Sequence, residues 1–149
     1  MIEFRNARRE DLPAIVALLA DDALGAKRED AADLAPYEKA FAALTAQKGN
    51  AIIVGDDAGN VVACLQLMIV PGLSRQGATR AFIEGVRVAQ SLRGKGVGEA
   101  LVRDAIARAR AADCRLVQLT SDNSRTGAHR FYERLGFKAT HIGMKLELV

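Results

Sequence analysis

A mixed α/β fold, with helices on the faces of a central sheet, is predicted by three features of the 149-residue chain. Three strand-like segments between residues 51 and 88 follow one another with only turns between them, so they pair as hairpins. Two amphipathic helices come later, each leading to or from a strand-like stretch, as crossovers require. The absence of helices between the hairpin strands excludes a regular doubly wound sheet. The length fits one domain, residues 1–149.

The elements follow from periodicity. Ile2 to Ala7 alternates as a short strand, with Ile2 and Phe4 on one face. A helix begins near Asp11. Pro13 suits its first turn, and Leu12, Ile15, Val16 and Leu19 form one stripe. Asp21 to Asp33 is polar, contains Gly25 and reads as a loop. Leu34, Tyr37, Phe41 and Leu44 recur at helical spacing up to Gly49-Asn50. Ala51 to Val54 is a strand, Asp56 to Asn60 a hairpin turn, and Val61 to Val70 a strand ended by Pro71-Gly72. Ser74 to Gly77 is a polar connection. Thr79 to Val88 is a strand in which Gly85 marks a bulge. Gly94 to Ala112 is a long helix with Leu101, Val102, Ala105, Ile106 and Ala109 inward. Arg115 to Thr120 is a strand, and Thr126 to Leu135 a helix stopped by Gly136. Phe137 to Val149 contributes one or two more strands, since Met144, Leu146 and Leu148 alternate. The expected sheet has 6–7 mostly antiparallel strands flanked by about four helices.

Composition excludes several classes. Two cysteines, Cys64 and Cys114, cannot build a disulfide framework or a four-ligand zinc site, so no metal is expected. No apolar run approaches the ~20 residues of a membrane span, and no signal-peptide pattern opens the chain. A cytoplasmic protein with no membrane partner is expected. The net charge of +3 is small and the cations are mixed with acids, so nucleic acid is not an expected partner.

Chemistry concentrates in Val86 to Gly98. A strand enters a loop with Gly94, Gly96 and Gly98, and a helix starts there. Glycines let backbone N–H groups approach a ligand. The helix start adds free N–H groups and a positive dipole end. Arg93 and Lys95 add charge. The result suits a phosphate or pyrophosphate. A P-loop is excluded because Gly94-Lys95 precedes Gly96 and not Ser or Thr. The G-x-G-x-G spacing also departs from the dinucleotide fingerprint.

Arg93-Gly94-Lys95-Gly96-Val97-Gly98 resembles the R/Q-x-x-G-x-G/A loop of the GCN5-related N-acetyltransferases. Ala128 to Phe137 resembles that family's A-x-x-F-Y-x-x-x-G-F segment. The two motifs occur in the family's order, and the element order agrees along nearly the whole chain outside residues 21–50. The resemblance implies acetyl transfer from acetyl-CoA to an amine in a ternary complex. Arg93, Gly94, Lys95, Gly96, Val97 and Gly98 would cradle the pyrophosphate. Backbone groups of Val86 and Val88 would pair with the pantetheine arm, between strands that splay. A backbone N–H near Val86 would polarise the thioester carbonyl. Asn123 and Phe131 would complete the cofactor-binding set.

The same resemblance makes Tyr132 the general acid for the departing thiolate. The alternative is a core tyrosine beside Phe131. Glu84 is the candidate base that takes the ammonium proton, with an ion pair to Arg80 or Arg87 as its alternative. Asp21, Asp22, Glu29, Asp30 and Asp33 either border an acceptor pocket or form a solvated junction with Lys27 and Arg28. Cys64 and Cys114 read as small buried hydrophobes. His129 reads as a surface or packing residue, and Arg125 and Arg130 flank the expected cofactor face. The favoured acceptor is a small-molecule primary amine. A protein amine, a CoA-binding sensor without turnover and a homodimer through the final strand remain open.

Overall fold

Alternation at the start of the chain produces β1 (Glu3–Asn6) at one edge of a five-stranded sheet. The computed structural model describes residues 1–149. A single 3₁₀ turn (Arg9–Asp11) leads into α1 (Leu12–Ala20), with Pro13 in its first turn. The polar loop expected after α1 contains one helical turn, α2 (Gly25–Arg28). The next helix is α3 (Ala35–Thr45).

β2 (Asn50–Asp57) and β3 (Asn60–Val70) form a hairpin whose turn residues Ala58 and Gly59 both have positive φ. One turn, α4 (Ser74–Gly77), separates β3 from β4 (Arg80–Val88). β4 then leads through the glycine loop into α5 (Val97–Ala111). β5 (Leu116–Gln118) follows, and α6 (Thr126–Arg134) completes the elements. The sheet order is β1-β2-β3-β4-β5, antiparallel except for the parallel β4–β5 pair.

The sheet buries residues on both faces. Ile53, Ala63, Leu65, Leu67, Ala81 and Ile83 point toward α5, which supplies Leu101, Val102, Ala105 and Ala109. Val54 and Cys64 point the other way, against Ile15 and Leu18 of α1. The middle of β3, Ala63 to Leu65, is therefore apolar on both faces. Of the expected inward positions on α5, only Ile106 stays partly exposed.

Three expectations need correction. The sheet has five strands and not 6–7, because residues 138–149 form no strand and all twelve are exposed. β5 stops at Gln118, two residues early. Cys114 is only partly buried, although Cys64 is buried as expected. No helix is long and apolar enough to cross a membrane.

One polar cluster fastens β1. Arg5 donates to Asp11 at 2.8 and 3.1 Å and to Asp56 at 2.9 Å, tying β1 to the turn before α1 and to β2. Hydrogen bonds from Arg5 hold both aspartates below their ordinary value near 3.8. Stability from a depressed carboxylate is fully present above that ordinary value and is lost as pH falls through the lower folded value. Arg5→Met should therefore destabilise the fold at pH 7, by roughly 1–2 kcal/mol for the Arg5–Asp11 contact, between the exposed and buried cases. Urea unfolding at pH 7 and pH 2 checks this, since the difference from wild type should shrink at the lower pH.

Candidate active site

The bulge at Gly85 shapes the site. Glu84 opposes Gln66 and Arg87 opposes Cys64, so Gly85 and Val86 together face the single residue Leu65. Gly85 takes φ +61°, which a side chain would strain. The extra residue reverses the alternation. Ile83 packs toward α5, and beyond the bulge Val86 and Val88 take that same side. Arg87 opposes Cys64, whose side chain lies on the α1 side.

Arg87 is held there. Its Nε lies 3.1 Å from Asp22 Oδ2, and its Nη1 donates to the Val86 carbonyl at 2.9 Å. The Nε contact lacks hydrogen-bond alignment, so it is an ion pair by distance only. Asp22 also accepts from the Gly25 N–H, where any side chain would strike the Leu19 carbonyl. Burial pushes the Asp22 carboxyl up, but the Gly25 N–H and the charges of Arg87, Arg125 and Arg28 bring it below its ordinary value.

β4 and β5 pair only at Arg80, Ala81 and Phe82. From Ile83 onward β4 has no partner on that side, and the gap opens into a groove of about 430 Å³. Its walls include Asp22, Leu24, Val86, Arg87, Arg93 and Arg125. The glycine loop lies at one end. Gly94 has φ +77° and Gly96 φ +84°, and a Cβ on either would meet nothing within 4 Å. The loop thus presents backbone to open space, immediately before the free N–H groups of the 15-residue α5. Such a surface suits a pyrophosphate. Arg93 is tied to the rest of the site, donating to the Val88 and Asp21 carbonyls at 3.3 Å each. Lys95 is exposed.

α6 starts directly after Arg125 of the groove wall. Phe131 packs over Gly98, where its Cζ would lie 3.5 Å from an added Cβ. Tyr132 stands edge-on to Phe131 and Phe137, at centroid distances of 5.0 and 5.7 Å. Burial raises its hydroxyl above the ordinary value of 10, against the opposing charges of Arg125 and Arg87. Tyr132 therefore keeps its proton across the neutral range. The His129 Nε2 contacts the Asp122 carbonyl at 2.9 Å and joins α6 to the turn after β5. Asn123 is exposed in that turn.

Glu84 differs from both readings given for it. Its side chain is exposed, and neither Arg80 nor Arg87 pairs with it. The acidic segment likewise divides. Asp21 and Asp22 reach the site through Arg93 and Arg87, while Glu29 and Asp30 engage Tyr37. The Asp22–Arg87 pair was not anticipated, although an arginine among valines was its signal. Burial pushes the Cys64 thiol up to about 12 despite nearby Arg87, so this thiol is a poor nucleophile.

The model of the acetyltransferase (GNAT) family matches residues 12–137. The chain belongs to that family. Family membership implies acetyl-CoA as co-substrate. The loop fits that molecule's pyrophosphate, because its glycines leave open the space that side chains would fill. A glucosamine 6-phosphate N-acetyltransferase of Trypanosoma brucei brucei is 39% identical over 90 residues. That match covers 60% of this chain and 59% of the relative. A Bacillus halodurans C-125 structure described as a transcriptional regulator is 43% identical, with a TM-score of 0.95 over 99% of this chain and 100% of that one. A Trypanosoma brucei acetyltransferase structure is 31% identical, with a TM-score of 0.78 over 99% of this chain and 100% of that one.

Proposed function

We propose that this GNAT protein transfers an acetyl group from acetyl-CoA to the primary amine of a small molecule, by direct attack in a ternary complex. The observation that carries the reading is the groove along the unpaired edge of β4, with Arg93 of the glycine loop in its wall, and the half-buried, protonated Tyr132, whose hydroxyl feels the charges of Arg125 and Arg87 in that wall. Acetyl-CoA supplies the acyl group as a thioester. The N–C bond forms, the C–S bond breaks, and Tyr132 gives its proton to the departing sulfur. Arg93, Lys95 and the backbone of Gly94, Gly96, Val97 and Gly98 hold the pyrophosphate. Val86 and Val88 line the pantetheine arm, with Asn123 and Phe131 beside it. Glu84, exposed as it is, accepts the amine proton through water.

Arg87 and Arg125 on the groove wall favour an acceptor that carries a negative group. The amino-sugar phosphate named for the trypanosomal relative has that character, so it is the first acceptor to assay. The test is thiol release from acetyl-CoA with pools of amino-sugar phosphates, amino acids, polyamines and short peptides. Release with one pool, and its product identified by mass, supports the reading. Acetyl-CoA binding without release from any pool favours a second reading. In that reading the protein is a CoA-binding sensor, in keeping with the regulator description of the Bacillus halodurans relative.

A further inference from the structure

We propose that the side-chain oxygen of Gln66, presented by Asn50, holds the acceptor's primary ammonium beside Glu84. That the ammonium belongs to an acceptor rests on the acetyl-transfer reading, whereas the ammonium site itself does not.

Register makes Gln66 and Glu84 neighbours. They stand directly opposite each other on β3 and β4, so their Cβ atoms lie about 4.5–5.5 Å apart. Both face the α1 side of the sheet. Leu65, Leu67 and Ile83 point toward α5, so the residues that alternate with them point the other way. α1 covers Val54 and Cys64 on that side, and Leu19 Cδ2 lies 3.7 Å from where a Cβ on Gly85 would be. Just past that cover, Gln66 is half-buried and Glu84 is exposed. Glu84 also belongs to the stretch of β4 with no partner toward β5, two residues before Val86 of the groove wall.

Gln66 is the only charged or amide side chain between Val61 and Val70. An amide half-buried in an apolar strand costs free energy unless it is bonded. One end is bonded. Its Nε2 donates to Asn50 Oδ1 at 2.9 Å, and Asn50 Nδ2 donates to Gln47 Oε1 at 3.0 Å. The amides donate in one direction, so the nitrogen of Gln66 is occupied and its oxygen is the free end. The nearest cations on β4 are engaged elsewhere. Arg80 donates to Gln118 and Ser74, and Arg87 pairs with Asp22. A free amide oxygen and an unpaired carboxylate therefore stand side by side, and both can only accept. A primary ammonium matches them, with three donors, a positive charge and no acceptor. Gln66 takes one N–H, and the charge sits next to Glu84, which removes a proton through water. A quaternary ammonium has the charge but no donor for Gln66. Asn50 is a positioning residue in this arrangement, since it acts through Gln66.

The test follows the side-chain amide signals of Gln66 by NMR in the full-length protein, with Gln66→Leu assigning them. Methylammonium should shift these signals, and tetramethylammonium should not. Asn50→Leu should abolish the response. Asn50→Asp keeps the accepting oxygen and should preserve it. The backbone signals of each variant report its folding. With an amine that supports thiol release, Gln66→Leu should raise the KM of that amine about tenfold or more, with the KM of acetyl-CoA unchanged within about twofold. Signals that ignore methylammonium, or that move equally with both ions, overturn the proposal and leave acetyl transfer intact. An unchanged amine KM in Gln66→Leu does the same. An undiminished response in Asn50→Leu overturns the role of Asn50. A response selective for methylammonium, in a protein that releases thiol with no amine, upholds the ammonium site and counts against acetyl transfer.

Discussion

Tyr132→Phe should lower kcat for acetyl transfer by about a hundredfold or more, with acetyl-CoA affinity unchanged within about twofold. The ring of Tyr132 is fixed by edge contacts with Phe131 and Phe137, and phenylalanine keeps both. The hydroxyl makes no hydrogen bond within the protein, so its removal leaves no buried partner unsatisfied. The loss therefore falls on the proton donor and not on the fold. Burial raises the hydroxyl above 10, so the neutral, donating form is present throughout the usual assay range. The loss should be the same at pH 7 and pH 9, and no falling limb from this group should appear in the wild-type profile below pH 10. Steady-state thiol release at both pH values measures this. An unchanged kcat would leave Tyr132 as a packing residue only.

What the sequence disclosed follows the range of the interactions involved. α5 and α6 were readable because their apolar stripes and closing glycines are local signals, and Gly136 indeed takes φ +100° after α6. The bulge at Gly85 was readable for the same reason. Its consequence was not. A bulge reverses facing, so counting by twos from Glu84 to Val86 puts them on one face, whereas the register puts Glu84 and Arg87 together. The partner of Arg87 is Asp22, 65 positions away, fixed by the turn between α1 and α2 and by Gly25 against Leu19. No periodicity reaches that far.

The tail shows the opposite limit. Its alternation predicts a strand, but residues 138–149 form none, because a strand exists only with a neighbour to bond. β5 ends at Gln118 because its pairing with β4 stops at Phe82, so Leu119 and Thr120 have no ladder to join.

Gly96→Glu should abolish acetyl-CoA binding, by more than a hundredfold in affinity, while the protein stays folded. Two costs have to be separated. The first is conformational. Gly96 has φ +84°, and an L-residue there loses on the order of 1–2 kcal/mol. A Cβ meets no atom within 4 Å, so no clash is added. The new carboxylate also sits next to the N-terminus of α5, where the helix dipole favours negative charge by about 0.3–1 kcal/mol. The net destabilisation is thus small. The second cost falls on the ligand. The side chain fills the open space in front of the loop and places an anion where the pyrophosphate sits, competing for the same N–H groups. Gly96→Ala separates the two, because it carries the conformational cost without the charge and with little bulk. It should weaken binding far less than the glutamate. Calorimetry with acetyl-CoA, with thermal unfolding of each variant, measures both. Intact affinity in a folded Gly96→Glu protein would mean that the pyrophosphate does not bind at this loop. Loss in the glutamate variant with retention in the alanine variant would assign the loop to an anion.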